Sequence, residues 1–463
     1  MAQLPPVFGE SLLASLREEF VRSEKTIVVL DDDPTGTQTS YDVTVITSWD
    51  TALIIEELRK RPSILFILTN SRSLPEREAV ELTLEIGRNL KEAAEASGRE
   101  VVVISRSDST LRGHFPAEVN ALAEALDLND AVRVLVPAFI EGGRITIDDV
   151  HYLTDNQRLI PVSETPFARD VVFGYRHSHL KRWVEEKTGG QVQAEAVQSV
   201  SLDDIRRGGP EAVARKLQAC GPGAVCIVNA ADYRDLEVVA MGLITAEKAG
   251  RTFLYRSSAT LVPIRAGMES GRLFDPGPED SSSGNGLLVV VGSHVPRATE
   301  QLGYLLEHGE YQPIEVNVSE LLRTDQPAAR AEAIRRQTDR WLSAGTNVVI
   351  YTSRRLEVGP DAESSLAINA TVSAFLVEVV KGLTVRPKAL IAKGGITSSD
   401  LATKALSARC AHVLGPIIPG VPVWRMQAGG KFPGLTYVVF PGNVGGPSAL
   451  AEVGARFGAS LRP

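Results

Sequence analysis

Apolar and polar positions along the chain fall into two recurring patterns. Short runs of β-branched and aliphatic residues, too continuous to be half-exposed strands, alternate with longer stretches whose apolar residues return at helical spacing. This alternation predicts parallel strands joined by crossover helices, an α/β fold. In the first half the runs are Thr26 to Leu30, Ile64 to Leu68, Val101 to Ser105, Arg133 to Val136, Ala224 to Val228 and Thr252 to Tyr255. Between the second and third lies PEREAVELTLEIGRNLKEAAEASG, with Pro75 near a helix start, Gly98 at its end, and Val80, Leu82, Leu84, Ile86 and Leu90 as the apolar face. In the second half the runs are Leu287 to Val291, Asn347 to Tyr351, Ala389 to Ala392 and Tyr437 to Phe440, separated by helical segments near Ala298 to His308, Glu363 to Lys381 and Ser399 to Ala408. The stretch DPGPEDSSSGNG, Asp275 to Gly286, follows neither pattern and has the composition of a linker. The expected organisation is two domains, residues 1–274 and 287–463, each a largely parallel sheet flanked by helices, joined by a linker over 275–286. No short-period repeat supports a solenoid.

Length and composition agree with that division. At 463 residues the chain exceeds the size at which one core stops growing, and 43% hydrophobic with 23% charged residues fills a core without disulfides. A net charge of -8 offers no basic stripe for nucleic acid. Cys220, Cys226 and Cys410 form no C-x-x-C pair, which argues against a disulfide framework or a cysteine zinc site and fits a reducing cytoplasm. The opening residues lack an export signal, and no apolar stretch approaches a membrane span.

Three strands of the second domain end in similar chemistry: VVVGSHVPRATEQL at Gly292 and Ser293, IAKGGITSSDLATKAL at Gly394 to Asp400, and VVFPGNVGGPSALAEV at Gly442 to Ser448. In a parallel sheet such strand-to-helix turns share the carboxyl edge, where missing side chains and free helical N–H groups suit phosphates. Thr397 and Ser398 are expected to add hydroxyl donors, Ser399 to cap the helix with Asp400 in its first turn, and Pro447 to take a first helical position. Glycines are equally what any strand-to-helix turn needs. No G-x-x-x-x-G-K-[ST] occurs, since Gly430 and Lys431 are followed by Phe432, and no G-x-G-x-x-G follows a strand.

The first domain places polar residues at its strand ends instead. VVLDDDPTGTQTS runs from Val28 into Asp31, Asp32 and Asp33; LTNSRSLP and SRSDSTLRGHFPAEV follow the next two strands. On one sheet Asp32, Asp33, Asn70, Arg72, Asp108, Ser109 and Arg112 would face a common crevice suited to a small polyhydroxylated acid, arginine taking the carboxylate and aspartate or serine the hydroxyls. Three adjacent carboxylates repel one another unless a metal, an arginine or a substrate proton offsets them; capping turns or binding a structural cation is the alternative. The histidines are scattered and no zinc site is expected. PAFIEGGRITIDDVHYL, Pro137 to Leu153, and ETPFARD, Glu164 to Asp170, read as a long polar loop near the crevice or as plain surface irregularity.

These motifs resemble those of the four-carbon acid sugar kinases, a family long known only as a domain of unknown function, over nearly the whole length. The acidic D-D-x-T-G turn reads Asp32, Asp33, Pro34, Thr35, Gly36; D-S-T-L-R-G is intact as Asp108 to Gly113; and PAFIEGGRITIDDVHYL is similar to the P-A-F-x-x-x-G-R-x-T loop. The resemblance implies an ATP- and Mg2+-dependent kinase acting on threonate, erythronate or a 3-oxo relative, with an active site in the cleft between a substrate domain and a nucleotide domain. Carried over by motif, the nucleotide would meet Ser293, the turn Gly394, Gly395, Ile396 and Thr397, and Gly442 with Asn443. The acid sugar would meet Asp32, Asp33, Arg72, Asp108, Ser109 and Arg112. Asp33, with Asp32 next, is the expected catalytic aspartate. The metal ligands and any homo-oligomer stay open. Two positions depart from the pattern: Ile396 where many members carry an acidic residue in G-G-[DE]-T, and Thr37 after the T-G pair. The alternatives are dehydrogenase, aldolase or isomerase chemistry on an acid sugar, or a sensor of sugar acid and nucleotide without turnover.

Overall fold

The computed structural model describes residues 4–155, 158–277, 280, 284–355, 357 and 362–462. The chain divides into two compact units, Met1–Gly271 and Arg272–Pro463.

In the N-terminal unit the strands β1 (Thr26–Asp31), β2 (Val43–Ile46), β3 (Ile64–Leu68), β4 (Val101–Arg106), β5 (Val132–Val136), β9 (Gln198–Val200), β10 (Val225–Val228) and β11 (Phe253–Ser257) form a sheet in the order β2-β3-β1-β4-β11-β5-β10-β9. Every pairing within it is parallel. β1 is buried along its whole length, as the unbroken apolar run requires of a strand covered on both faces. The helix after β3 spans Glu76–Ser97 and stops at Gly98, whose φ of 64° is the left-handed conformation a helix end uses. Its buried stripe is Ala79, Thr83, Ile86, Gly87, Leu90 and Ala93. Of the expected apolar face only Ile86 and Leu90 are fully buried; Val80, Leu82 and Leu84 flank the stripe, half-buried.

Much of the first stretch expected as a polar loop, Pro137 to Leu153, enters a second, antiparallel sheet of β6 (Arg144–Ile147), β7 (Val150–Asp155) and β8 (Arg158–Pro161), while Glu164 to Asp170 stays in short 3-10 turns. Ile145 and Ile147 alternate inward to pack with Leu202, Tyr152 and Leu159, a two-residue period that the polar flanks obscure in the sequence. His151 is wholly buried: its Nε2–H donates to the Ser109 carbonyl at 2.8 Å, and Nδ1 accepts from the Thr146 hydroxyl at 2.9 Å. Burial brings its pKa down to about 4.

In the C-terminal unit the strands β12 (Leu288–Val291), β13 (Gln312–Val316), β14 (Val348–Thr352), β15 (Ala389–Lys393), β16 (Cys410–Ile418), β17 (Val421–Met426) and β18 (Thr436–Phe440) run in the order β13-β14-β12-β15-β18-β17-β16. The first five are parallel; β16 and β17 form an antiparallel hairpin that pairs antiparallel with β18. Helices Pro296–His308, Pro327–Ser343 and Ala362–Gly382 supply the crossovers. Of the expected linker, residues 278, 279 and 281–283 lie outside the described residues. Asp280 within it is buried, accepting hydrogen bonds from Arg425 at 2.8 Å and the Thr436 hydroxyl at 2.7 Å. Among the described residues no helix is long and apolar enough to cross a membrane.

Candidate functional site

Strand order decides which turns can share a ligand. In the N-terminal unit β1 lies between β3 and β4, so the chain leaves it in both directions, the switch point at which parallel sheets bind ligands beyond their carboxyl ends. The turns after these three strands carry the polar residues. Asp31 ends β1 level with Leu68 of β3 and Arg106 of β4, and the side chains that follow build one ion-paired cluster.

Arg72 is its centre. Its Nε and Nη2 hold Asp32 bidentately at 3.2 and 2.8 Å, while Asp33 Oδ2 lies 3.4 Å and Asp108 Oδ1 3.7 Å from the same guanidinium. Asp32 also accepts from the Ser107 hydroxyl at 2.7 Å and is only 3% exposed. Asp33 is more open. Its Oδ1 accepts from the Thr35 N–H at 2.8 Å and the Thr35 hydroxyl at 2.5 Å, leaving Oδ2 toward Arg72. Burial pushes the Asp33 carboxyl up, but Arg72 and the Thr35 bonds outweigh it and hold the pKa below the ordinary value. For Asp108 burial is likewise outweighed, by Arg72 and Arg112, so it stays ionised well below the usual carboxylate range. Arg112 donates from Nε to Asp108 at 2.8 Å, lies over the Phe167 ring at 5.0 Å, and faces Asp170 at 3.6 Å.

Asp31 differs. It is 1% exposed, and burial raises its pKa to about 7 despite Arg106 at 3.3 Å, with Asp32 and Asp33 adding to the rise. Its carboxylate lies against Gly36: a Cβ there would come 1.8 Å from Oδ2, so the T-G turn needs glycine for close approach.

The cluster thus gathers Asp32, Asp33, Arg72, Asp108 and Arg112. Ser109 is buried and lends its carbonyl to His151, while Asn70 adopts a left-handed φ of 52° and donates to Ser73 within its own turn. Sequence reasoning missed Arg106, Ser107, Glu118 and Arg256. Ser71 donates to Glu118 at 2.5 Å, and burial, with Asp32 nearby, raises the Glu118 pKa. Arg256 is buried beside Gly113, donates to the Arg112 carbonyl at 3.1 Å, and leaves Nη1 without a partner among the described residues. Arg106 and Arg256 each sit at the end of an apolar run, and a charge in that position was the available signal.

The C-terminal unit repeats the arrangement with different chemistry. Val291, Lys393 and Phe440 are level across β12, β15 and β18, so the three glycine turns stand side by side. A Cβ on Gly292 would come 2.3 Å from Thr397 Oγ1, one on Gly394 3.0 Å from Ser293 Cβ, and one on Gly442 3.1 Å from Ser293 Oγ. The middle helix starts at Gly395, with Gly394 at φ 120° before it, earlier than the Ser399 cap read from the sequence. Ser398 points inward and donates to the Ala392 and Gly394 carbonyls; Thr397 packs against Gly292; Asp400 is the last α-helical residue before the helix runs on as a π-helix over Leu401–Ala405, and it accepts from Ser373 at 2.5 Å and faces Lys404 at 2.7 Å. The outward donors are therefore the N–H groups of Gly395, Ile396 and Thr397, which have no intrahelical acceptor. Ile396 is 58% exposed and Asn443 is exposed beside Gly442. Pro447 precedes the next helix, Ala449–Arg456, by two residues and is not its first position. Gln301 holds that turn by donating to the Val444 and Gly446 carbonyls at 2.9 and 2.8 Å.

Lys393, also missed, is wholly buried. Its Nζ donates to the carbonyls of Pro441 at 2.5 Å and Gly442 at 3.1 Å and lies 4.1 Å from the centre of the Phe440 ring. Burial, with Arg297 adding, lowers its pKa to about 7. Among the described residues no three His, Cys, Asp or Glu side chains converge as a metal site.

Two family models match the chain: a sugar-binding N-terminal domain over residues 27–264 and a nucleotide-binding C-terminal domain over 288–450. No curated protein sequence matches it. Among solved structures, a Haemophilus influenzae protein of the family DUF1537 aligns with a TM-score of 0.62 at 19% identity, covering 93% of this chain and 100% of that one. A Salmonella typhimurium LT2 protein described provisionally as a tRNA synthase aligns with a TM-score of 0.67 at 18% identity, covering 92% of this chain and 98% of its own. Identities this low speak to the fold alone.

Proposed function

Because the chain belongs to the four-carbon acid sugar kinase family, we propose that it transfers the γ-phosphoryl group of Mg-ATP to a hydroxyl of a small acid sugar such as threonate, erythronate or a 3-oxo derivative. The observation that carries this reading is Asp33: an ionised carboxylate with one oxygen fixed by Thr35 and the other beside Arg72, in a cluster that also holds Arg112 and Asp108.

In this reading Asp33 orients the attacking hydroxyl. The hydroxyl oxygen bonds to the γ-phosphorus, the bond from that phosphorus to the ADP oxygen breaks, and the proton passes late to Asp33, whose low basicity suits it to positioning more than to early abstraction. Asp32, buried with both oxygens engaged, positions Arg72. Arg72 is shared among three carboxylates, so Arg112, whose guanidinium donates to Asp108 at 2.8 Å and only faces Asp170 at 3.6 Å, is the better receiver of the sugar-acid carboxylate, with Asp108 and Ser109 assigned to its hydroxyls. The nucleotide phosphates are assigned to the N–H groups of Gly395, Ile396 and Thr397, with Ser293, Gly394, Gly442 and Asn443. A helix terminus gives only about 0.3 to 1 kcal/mol to an anion, so several turns must act together. Mg2+ would enter as part of the nucleotide substrate and neutralise phosphate charge, commonly keeping several of its waters.

The test is ADP release from Mg-ATP across D- and L-threonate, erythronate and their 3-oxo and branched relatives, with mass spectrometry of the product. ADP with a monophosphorylated acid is expected for at least one compound. Silence across the panel, with sugar acid and ATP both bound, would replace the kinase by a sensor.

A further inference from the structure

Arg112 already has a carboxylate in front of it. One edge of its guanidinium is used, with Nε donating to Asp108 at 2.8 Å. On the other edge Nη1 faces Asp170 Oδ2 at 3.6 Å, inside ion-pair range but too long for a hydrogen bond. Asp170 cannot close that gap cheaply, because its Oδ1 accepts from the N–H groups of Val172 and Phe173 at 2.9 and 3.0 Å, which fixes the carboxylate at the head of its own turn. Phe167, three residues earlier, lies beneath the same guanidinium at 5.0 Å. The segment is tied to the D-S-T-L-R-G loop by Tyr175, whose hydroxyl donates to the Thr110 carbonyl at 2.7 Å. Both Arg112 and Asp170 keep about a quarter of their side-chain surface open, and Val171 beside them is almost wholly exposed.

We propose that Asp170 is a built-in stand-in for the substrate carboxylate, held just out of hydrogen-bond range of Arg112, and that Phe167 is the platform that keeps this guanidinium aimed at the site. This rests on the acid-sugar reading above and adds to it two residues that set the affinity for the acid. An incoming carboxylate takes Nη1 at full hydrogen-bond distance, and Asp170 gives up its loose contact. A neutral polyol cannot make that exchange and leaves the pair in place, so Asp170 holds acid affinity down without touching polyol affinity.

Titration of the full-length chain with threonate and erythronate, and with threitol and erythritol as uncharged counterparts, tests this. Asp170→Asn is expected to bind the acid about two- to fivefold more tightly, the gain from releasing a part-exposed ion pair, with polyol binding unmoved. Phe167→Leu is expected to weaken acid binding by about two- to fivefold, the loss of one cation–π contact. Glu164→Gln, which removes an equal charge from the same exposed segment, is expected to change nothing. Weaker or unchanged acid binding by Asp170→Asn, or an equal gain from Glu164→Gln, overturns the proposal while the wild type still binds the acid. If the wild type binds no sugar acid at all, the parent reading fails and takes this one with it.

Discussion

At the scale of single residues, three adjacent aspartates at one strand end do three different things because their surroundings differ. Asp31 is buried against Gly36 and drawn toward its neutral form near pH 7; Asp32 is spent on Arg72 and Ser107; Asp33 keeps its charge and its opening. Asp33→Asn preserves the acceptor for Thr35 and removes only the charge. In the kinase reading turnover should fall by about 10²- to 10⁴-fold, the usual worth of a positioned acid-base group, while the dissociation constant for Mg-ATP stays the same. Steady-state kinetics beside a nucleotide titration check both, and unchanged turnover would remove Asp33 from the chemistry. The residue types of this cluster were legible in the sequence because each follows an apolar run. The partition of roles among them was not, since it depends on which carboxylate Arg72 reaches across 40 residues of chain, and Arg256 was hidden at the end of a strand read as stopping at Tyr255.

At the scale of elements, continuous apolar runs located the parallel strands well, because a strand covered on both faces leaves no other composition. The strands missed were the short β2, the edge strands β9 and β13, the antiparallel β6 to β8, where only Ile145 and Ile147 alternate inward, and the β16–β17 hairpin, interrupted by Gly415 and Pro416 at its irregularities. Lys393 shows that a strand end can bury even a lysine. A free lysine titrates near 10.4, and this one near 7. Between those values the unfolded chain holds a proton that the folded strand rejects, so this group adds stability as pH rises from about 7 toward 10 and adds no slope below 7. Lys393→Met removes that slope, and the wild type should gain on the variant by up to about 1.4 kcal/mol per pH unit over the window. Urea midpoints at pH 7, 8 and 9 measure it. A constant difference would mean the hydrogen bonds to the Pro441 and Gly442 carbonyls keep the ammonium charged, leaving Lys393 a simple clamp on the third glycine turn.

At the scale of the whole molecule, the turns after the parallel strands carry carboxylates and guanidinium groups in the unit of residues 1–271 and bare glycines in the unit of residues 272–463. Separate cores make separate stabilities the natural expectation, and a ligand raises the stability of the unit it binds by an amount set by its concentration over its dissociation constant. Calorimetry of the intact chain should therefore resolve two transitions, or one asymmetric one. A saturating sugar acid should move the part belonging to residues 1–271, and Mg-ATP the part belonging to 272–463. At a hundredfold excess over the dissociation constant each ligand is worth about 2.7 kcal/mol, enough to shift a transition by several degrees. Asp33→Asn should leave the nucleotide shift whole. A single symmetric transition that both ligands move equally would show that the two units unfold as one, and the assignment of one ligand to each would then need direct binding data.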